Sequence, residues 1–402
     1  MPKKAQRFVG LDLHKYYLVA TAVDAELNKI YGPQRVDLSD LKAWIKKAIT
    51  PTDAIALEAT ANAWLVHDEL LPYAHSVIIV HPAHVTLIVR AQVMNDKIAA
   101  MQLARLLAKG LLTGIWVPPQ EIRDLRSLVA QRQKMSYMKT QAKCRLQSTL
   151  HRYQILPPEE GQPFAEDNLP WWQSLPLSEL EKMRVESDLA ALAFAREQIS
   201  RFERRMAQWA AEQPEAARLM QITGIGLVSA VTILAAIGDI QRFPSANQLV
   251  GYSGLGARIH DSGLTTRTGR ITKAGRKELR LALVESAQVA VLHDPRWKAE
   301  LQRLAPRIGR NKAIVAIARK MLVLVWHLLT KKVPDNKVDP DRLGRKFLEF
   351  AYVMNAEERG KSAQEFVRER LDLVGVGAEM EFVRQGRKHI ALPKSALSAK
   401  EK

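Results

Sequence analysis

Three acidic side chains stand at positions from which carboxylates can work together. Asp12 lies at the end of a short apolar run, Phe8–Leu13, Glu58 follows the apolar residues Ala54–Leu57, and Asp96 opens a stretch with helical spacing. Carboxylates converging from strand ends and a helix start bind Mg²⁺, a hard ion that takes oxygen ligands and substrate phosphate. Two such ions about 3.5–4 Å apart can hold the attacking and the leaving oxygen of a phosphoryl transfer. Each acid alone is ordinarily solvated or caps a helix. It is the order strand Asp, strand Glu, helix Asp that points to a metal.

A second group is cationic. Ile222-Thr-Gly224-Ile-Gly226 enters a helical stretch and has the form of a helix–hairpin–helix turn, in which backbone N–H groups can approach a DNA phosphate. Further on, Arg258, Arg267, Arg270, Lys273, Arg276, Lys277 and Arg280 are spaced by Gly263, Gly269 and Gly275, a pattern suited to close contact with phosphate backbones. Ser262 lies among these cations. A serine is a poor nucleophile unless its alkoxide and the attacked phosphate are stabilised, which arginines can do electrostatically. Read by itself, Ser262 before a glycine is more simply a turn residue. Ser253 is its nearest competitor, and His260 and Asp261 could pair with either.

The elements that must position these groups change character along the chain. Residues 8–13, 17–23 and 28–36 read as three strands in a meander. Then follow a helix (40–49), a strand ending in Glu58, a helix (63–71), a buried-type strand (76–80) and a helix (96–109) stopped at Gly110. That order predicts a mixed α/β sheet of the RNase H type. From 121 to 153 apolar residues recur at alternating threes and fours, a coiled-coil seam, and 177–211 is a second long helix, so an arm of two helices is expected. The expected domains are 1–115, 116–213 (the arm), 214–333 and a charged C-terminal extension, 334–402.

The 402 residues carry 60 Lys+Arg against 42 Asp+Glu, a net charge of +18, which favours a polyanionic partner, nucleic acid first. A hydrophobic content of 47% permits an ordinary globular core. The lone cysteine, Cys144, excludes an intrachain disulfide and a Cys-rich zinc site, and suits a reducing cytoplasm. The basic start runs directly into a strand, so no secretory leader is expected. The most apolar run, 321–329, is far shorter than the ~20 residues of a membrane span, and no membrane partner is expected.

In these motifs the sequence resembles the bridge-RNA-guided transposases of insertion-sequence family 110/1111, also called DEDD transposases. The resemblance is carried by Phe8-Val-Gly-Leu-Asp12-Leu-His-Lys15 and Leu57-Glu58-Ala-Thr60. It continues through Ile222–Gly226, Gly238–Phe243, Ser262-Gly263, Gly269–Gly275 and Leu279-Arg280 to residues 311–320. It implies a RuvC-like domain using Mg²⁺, a coiled-coil arm, and a mostly helical transposase domain whose serine attacks DNA and becomes a covalent phosphoserine. By motif position that serine is Ser262. The resemblance further implies a noncoding guide RNA that pairs with donor and target DNA. It also implies a homo-oligomer, dimer or tetramer, in which the acids of one protomer and the serine of another form a composite site.

One position departs from the pattern. The family's third motif has two aspartates three residues apart, and here Asp96 is followed by Ala99. Residues i and i+3 share a helix face, so both would reach the same metals. Losing one carboxylate predicts low strand-transfer activity, whether Ala99 is an engineered change or a natural, degenerate copy. Two other readings stay open: a Holliday-junction resolvase using the acidic site alone, and a non-catalytic nucleic-acid-binding scaffold.

Overall fold

In Arg7–Leu13 (β1) the apolar residues Val9, Leu11 and Leu13 alternate with others, so one face of the strand seeks a core. Tyr17–Val23 (β2) and Lys29–Asp37 (β3) follow as an antiparallel meander. Leu41–Ala48 (α1) ends before Pro51, and Asp53–Glu58 (β4) then pairs parallel with β1. Ala63–Leu70 (α2) leads to Ser76–Val80 (β5), parallel to β4. The sheet order is β3-β2-β1-β4-β5. A computed structural model describes residues 5–83, 85, 95–158, 161–262, 265–335 and 337–397, apart from the side chains of 166, 259–262 and 265–268. It divides into two compact units, Met1–Pro119 and Gln120–Lys402.

Within the first unit, Val9, Leu11 and Leu13 pack with Trp44 and Ile45 of α1 and Val66 and Leu70 of α2. The opposite face of β1 carries Gly10, and Asp96–Ala108 (α3) lies on it. A side chain at Gly10 would stand 2.0 Å from the Ala100 carbonyl oxygen and 2.5 Å from the Ala104 nitrogen. Only glycine permits that approach. Asp12, two residues on, shares the Gly10 face by the two-residue period of a strand. The register is fixed at the other end, where Arg7 lies opposite Asp53. The fully buried Asp53 carboxylate accepts from Arg7 Nε at 2.8 Å, from the Thr50 backbone N–H at 2.8 Å and from Thr50 Oγ1 at 3.0 Å.

In the second unit, Gln120–Arg152 (α4) and Glu179–Glu212 (α6) form an antiparallel hairpin, with Leu169–Ser174 (α5) at its turn. The pairs Arg132–Glu203, Arg145–Asp188 and Arg152–Glu181 fix the direction, since one number rises as the other falls. Ala142, Leu146 and Leu150 bury against Val185, Leu192 and Trp172. The rest of the unit is helical around one large core: Pro214–Met220 (α7), Leu227–Ile237 (α8), Ala246–Ser253 (α9), Lys277–His293 (α10), Pro295–Ile308 (α11) and Arg310–Lys331 (α12).

One exception is a two-stranded hairpin, Ala257–Ser262 (β6) and Thr265–Ile271 (β7), between α9 and α10. The segment after 334 folds as Pro340–Val353 (α13), Ala356–Arg359 (α14), Ala363–Val374 (α15) and the hairpin Phe382–Gln385 (β8) with Lys388–Ala391 (β9). Its Phe347, Phe350, Phe366 and Val383 enter the same core as α8 and α12. The apolar run 321–329 proves to be part of a longer element. By length and composition α12 could cross a membrane, and half of its most apolar window is buried within this unit.

Candidate functional site

The acids predicted from the sequence meet as the topology requires. β1 and β4 are parallel neighbours with Leu11 opposite Leu57, so Asp12 and Glu58 follow at the same sheet edge. Asp96 is the first residue of α3, whose start is capped by Asn95 Oδ1 accepting from the Ile98 N–H at 3.0 Å. Because α3 rests directly on Gly10, its first turn comes over the end of β1.

Two further side chains join them that the sequence did not single out. His14 Nε2 lies 3.4 Å from Asp12 Oδ2 and 3.3 Å from Asp96 Oδ2. The Tyr17 hydroxyl donates to Asp96 Oδ2 at 2.9 Å, its ring stacks on His14 at 4.6 Å, and the Arg35 guanidinium lies 3.8 Å from that ring's centre. The signal for His14 was its two-residue spacing from Asp12, which repeats the face of a strand.

One ligand atom from each of Asp12, His14 and Asp96 lies within 4.8 Å of the others, a set that could hold a single cation. Glu58 is not in that tight set, but it acts on the same charge. Burial raises the Asp12 carboxyl above its usual range, His14 opposes the rise and Asp96 adds to it. Glu58 is raised by burial and then by Asp12. Asp96 is lowered, chiefly by the Tyr17 hydrogen bond, and stays ionised. Half-buried carboxylates that repel one another are relieved by a divalent cation. Ala99, one turn along α3 from Asp96, is partly buried and offers a methyl.

The cationic segment includes two strands that the sequence reading did not assign. It folds back as β6 and β7, with His260 opposite Arg267 and Ser262 opposite Thr265. Ser262 therefore ends β6 at the tip; its side chain and that of Arg267 lie outside the described residues. Arg258, Arg270, Lys273 and Lys277 are exposed. Arg280 is turned inward, donating to the carbonyls of Ser253 at 2.8 Å and Gly275 at 3.2 Å, and Arg276 Nε donates to the Tyr252 hydroxyl at 3.2 Å. Ser253 is wholly buried, donating to the Val250 carbonyl at 2.8 Å and accepting from the Leu255 N–H at 3.2 Å.

In the glycine turn the two glycines serve different ends. A side chain at Gly224 (φ +92°) would meet the Ser286 carbonyl oxygen at 2.1 Å, so this glycine lets α10 pack against the turn. Gly226 caps α8 and has open space around it. Lys346 of α13 donates to the carbonyls of Met220, Ile222 and Ile225 at 2.7, 2.8 and 2.8 Å, and Arg342 donates to Thr223 Oγ1 at 3.1 Å.

Comparison with known proteins finds family matches in both parts of the chain. Residues 9–155 match the IS110 DEDD family model described as "Transposase", and residues 216–302 match "Transposase IS116/IS110/IS902 family". The chain is 23% identical over 333 residues to the transposase for insertion sequence element IS1111A of Coxiella burnetii, covering 81% of this chain and 90% of that protein. It is 26% identical over 351 residues to the pilin gene-inverting protein of Moraxella bovis, covering 83% of this chain and 98% of that protein. The two family models together span more than half of the chain. The chain belongs to the IS110/IS116/IS902 family of transposases, enzymes that recombine DNA.

Proposed function

We propose that this transposase cuts and rejoins DNA through a Mg²⁺-binding acidic site and the hydroxyl of Ser262. The observation that carries the reading is the convergence of Asp12, His14 and Asp96 within 4.8 Å, with Glu58 coupled to Asp12. The sheet order β3-β2-β1-β4-β5 supports a RuvC-like domain around them. The site fits a divalent cation: two carboxylates and an imidazole face one point, and the raised carboxyls are relieved by positive charge. When bound, the ion supplies charge stabilisation to the phosphate under attack.

Asp12, His14 and Asp96 would hold that ion, with Glu58 beside Asp12, and Tyr17 fixes the orientation of Asp96. Ser262 Oγ loses its proton and attacks phosphorus; a bond from phosphorus to Oγ forms as the bond to the leaving deoxyribose oxygen breaks, and that oxygen takes up a proton. Attack on the phosphoserine by a hydroxyl of the second DNA reverses these bonds and frees the serine. Inversion of a gene requires rejoining as well as cutting, so the relative named for that activity supports strand exchange over simple hydrolysis. We further propose that a guide RNA from the element's flank pairs with both DNAs. The acids and the serine at one DNA come from different protomers of a homo-oligomer. Arg258, Arg267, Arg270, Lys273, Lys277 and the Gly224–Gly226 turn bear on the backbone.

Ala99 removes a carboxylate from the face that carries Asp96, and strand transfer by this sequence is low. The test is to co-express the protein with its element's flanking DNA and incubate it with donor and target DNA in Mg²⁺, reading covalent protein–DNA adducts on a denaturing gel. Ala99→Asp raises the adduct and Ser262→Ala in that background abolishes it. Metal-dependent nicking that ignores Ser262 would establish the resolvase reading instead, and binding without cleavage in Ala99→Asp would establish a scaffold.

A further inference from the structure

Residues 221–226, between α7 and α8, form a largely buried turn. Gln221, Ile222, Thr223 and Ile225 are enclosed, and Gly224 lets the Ser286 carbonyl of α10 close over it. Carbonyls on the buried side of such a turn need donors. The backbone supplies one, from the Ile225 N–H to the Ile222 carbonyl at 3.0 Å. The Lys346 ammonium of α13 then joins three carbonyls at once, those of Met220, Ile222 and Ile225, at 2.7, 2.8 and 2.8 Å.

This is more than the capping of a helix end. Carbonyls from residues 220, 222 and 225 face one charge, as carbonyls do when they replace the hydration shell of a monovalent cation. An ammonium suits the task, being a compact charge with three donors on a flexible stem. Arg342, one turn earlier on α13, donates to Thr223 Oγ1 at 3.1 Å, so one helix brings two cations to the same turn. That helix is itself firmly seated. A side chain at Gly344 would stand 2.9 Å from Val383, and Phe347 and Phe350 enter the core. The turn lies within the stretch that matches a family model, 216–302, and Lys346 lies beyond it.

We propose that the Lys346 ammonium is a tethered cation that holds the 221–226 turn in the shape that meets DNA, a positioning residue for the substrate delivered by the C-terminal segment. The proposal rests on reading the Gly224–Gly226 turn as a contact to the DNA backbone. Lys346 touches no DNA, because its hydrogens are spent on the turn. Without it the carbonyls of Met220, Ile222 and Ile225 repel one another and lose their donor. The turn then opens, and the N–H groups at the start of α8 leave the place where a phosphate meets them. A free monovalent cation does the same work wherever the side chain has vacated the space.

The full chain is used, carrying Ser262→Ala so that binding is separated from strand transfer. It is held at about pH 6, below the value of about 7 at which Lys346 releases its proton. Lys346→Ala vacates the space, and Lys346→Met fills it without charge. Thermal melting and titration with a fluorescent duplex of arbitrary sequence are run in KCl, NH₄Cl or tetramethylammonium chloride at one ionic strength. The parent gives the baseline in each salt. In tetramethylammonium both variants melt roughly 5 °C lower, three carbonyls having lost a donor. Both also bind duplex about tenfold more weakly. K⁺ or NH₄⁺ brings Lys346→Ala to within about threefold of the parent and leaves Lys346→Met as it was. A lysine that only packs predicts no difference among the salts, and that result in Lys346→Ala would overturn the proposal. Parent-like duplex affinity in folded Lys346→Met would overturn it as well, even where Lys346→Ala does not fold. Gly226→Asp tests the reading beneath: a carboxylate there caps α8 and repels phosphate. Weaker binding by Gly226→Asp with none in either Lys346 variant would remove the positioning role alone. Unchanged binding by Gly226→Asp would remove the turn as a DNA contact, and the positioning role with it.

Discussion

The acidic edge of the first unit and the arginines around Tyr252 in the second are opposite in charge but alike in construction. In each, side chains from elements far apart in sequence are held together although their charges repel. At the sheet edge, burial and mutual repulsion raise Asp12 and Glu58. Around Tyr252, burial and mutual repulsion lower Arg126 and Arg242. Both contrast with Glu300, which Arg303 and Lys320 hold down at about 2 by direct hydrogen bonds. There the charges are matched and the group has a structural explanation. At the sheet edge, where Asp12, His14 and Asp96 converge, a cation relieves the repulsion between the carboxylates.

The largest effect is expected where the missing charge takes part in the chemistry. In the Ala99→Asp background, Asp12→Asn lowers formation of the Ser262 adduct on the order of 10³-fold, because the ligand shared by His14 and Asp96 is lost. An adduct yield within tenfold of the parent would show that the acidic edge is only a solvated one. The next largest effect belongs to the backbone that brings the acids together. Gly10→Ala drives a methyl into the α3 backbone and destabilises the first unit by about 3 kcal/mol or more. Gly226→Ala, which meets open space and weakens only a helix cap, costs about 1 kcal/mol or less. Equal denaturant midpoints for the two variants would sink the account of how α3 is seated.

A smaller effect separates a cation site from an acidic cluster of no consequence. Carboxyls whose pKa is raised in the folded state weaken it as pH rises through the carboxylate range, and a bound cation reverses this. Mg²⁺ at about 100 times its Kd raises stability by about 2.7 kcal/mol at neutral pH. The gain shrinks as pH falls, because Asp12 and Glu58 take up protons above the ordinary carboxylate range. Asp12→Asn abolishes it. A Mg²⁺ response in Asp12→Asn equal to that of the parent, read by thermal melting, would place the ion elsewhere.

Much of the acidic edge was legible because its parts follow local rules. A short apolar run gave β1, a run of β-forming residues gave β2, helical spacing from Asp96 gave α3, and strand order put Asp12 beside Glu58. His14 escaped notice because its partner Asp96 is brought to it by the packing of α3 on Gly10, a contact no local period encodes. The strands β6 and β7 went unassigned because arginines and glycines hide their alternation; Thr265, Thr266 and Thr268, β-branched and closely spaced, were the available signal. The arginine cluster was illegible for a stronger reason. Arg126, Arg242 and Arg276 belong to three elements, and only the folded unit places them on Tyr252.

A third kind of charge tests whether burial alone is enough to mark a ligand site. Lys346 is a partly buried residue whose ammonium is enclosed, and burial, then Arg342, lowers its pKa from 10.5 to about 7. Its hydrogens are all taken, by the carbonyls of Met220, Ile222 and Ile225. It is therefore expected to need no ligand, and its titration to appear in stability. Between about pH 7 and 10.5 the unfolded chain holds a proton that the folded chain has released, so stability rises with pH there, by at most about 1.4 kcal/mol per unit. Below about pH 7 both states hold the proton and this dependence vanishes. Lys346→Met removes the rise, while leaving the carbonyls of the turn before α8 without their donor and the protein less stable at neutral pH. Urea midpoints for parent and variant from pH 6 to 9.5 read the difference. Parallel curves would mean that the ammonium keeps its proton throughout, its three hydrogen bonds then outweighing the burial of its charge.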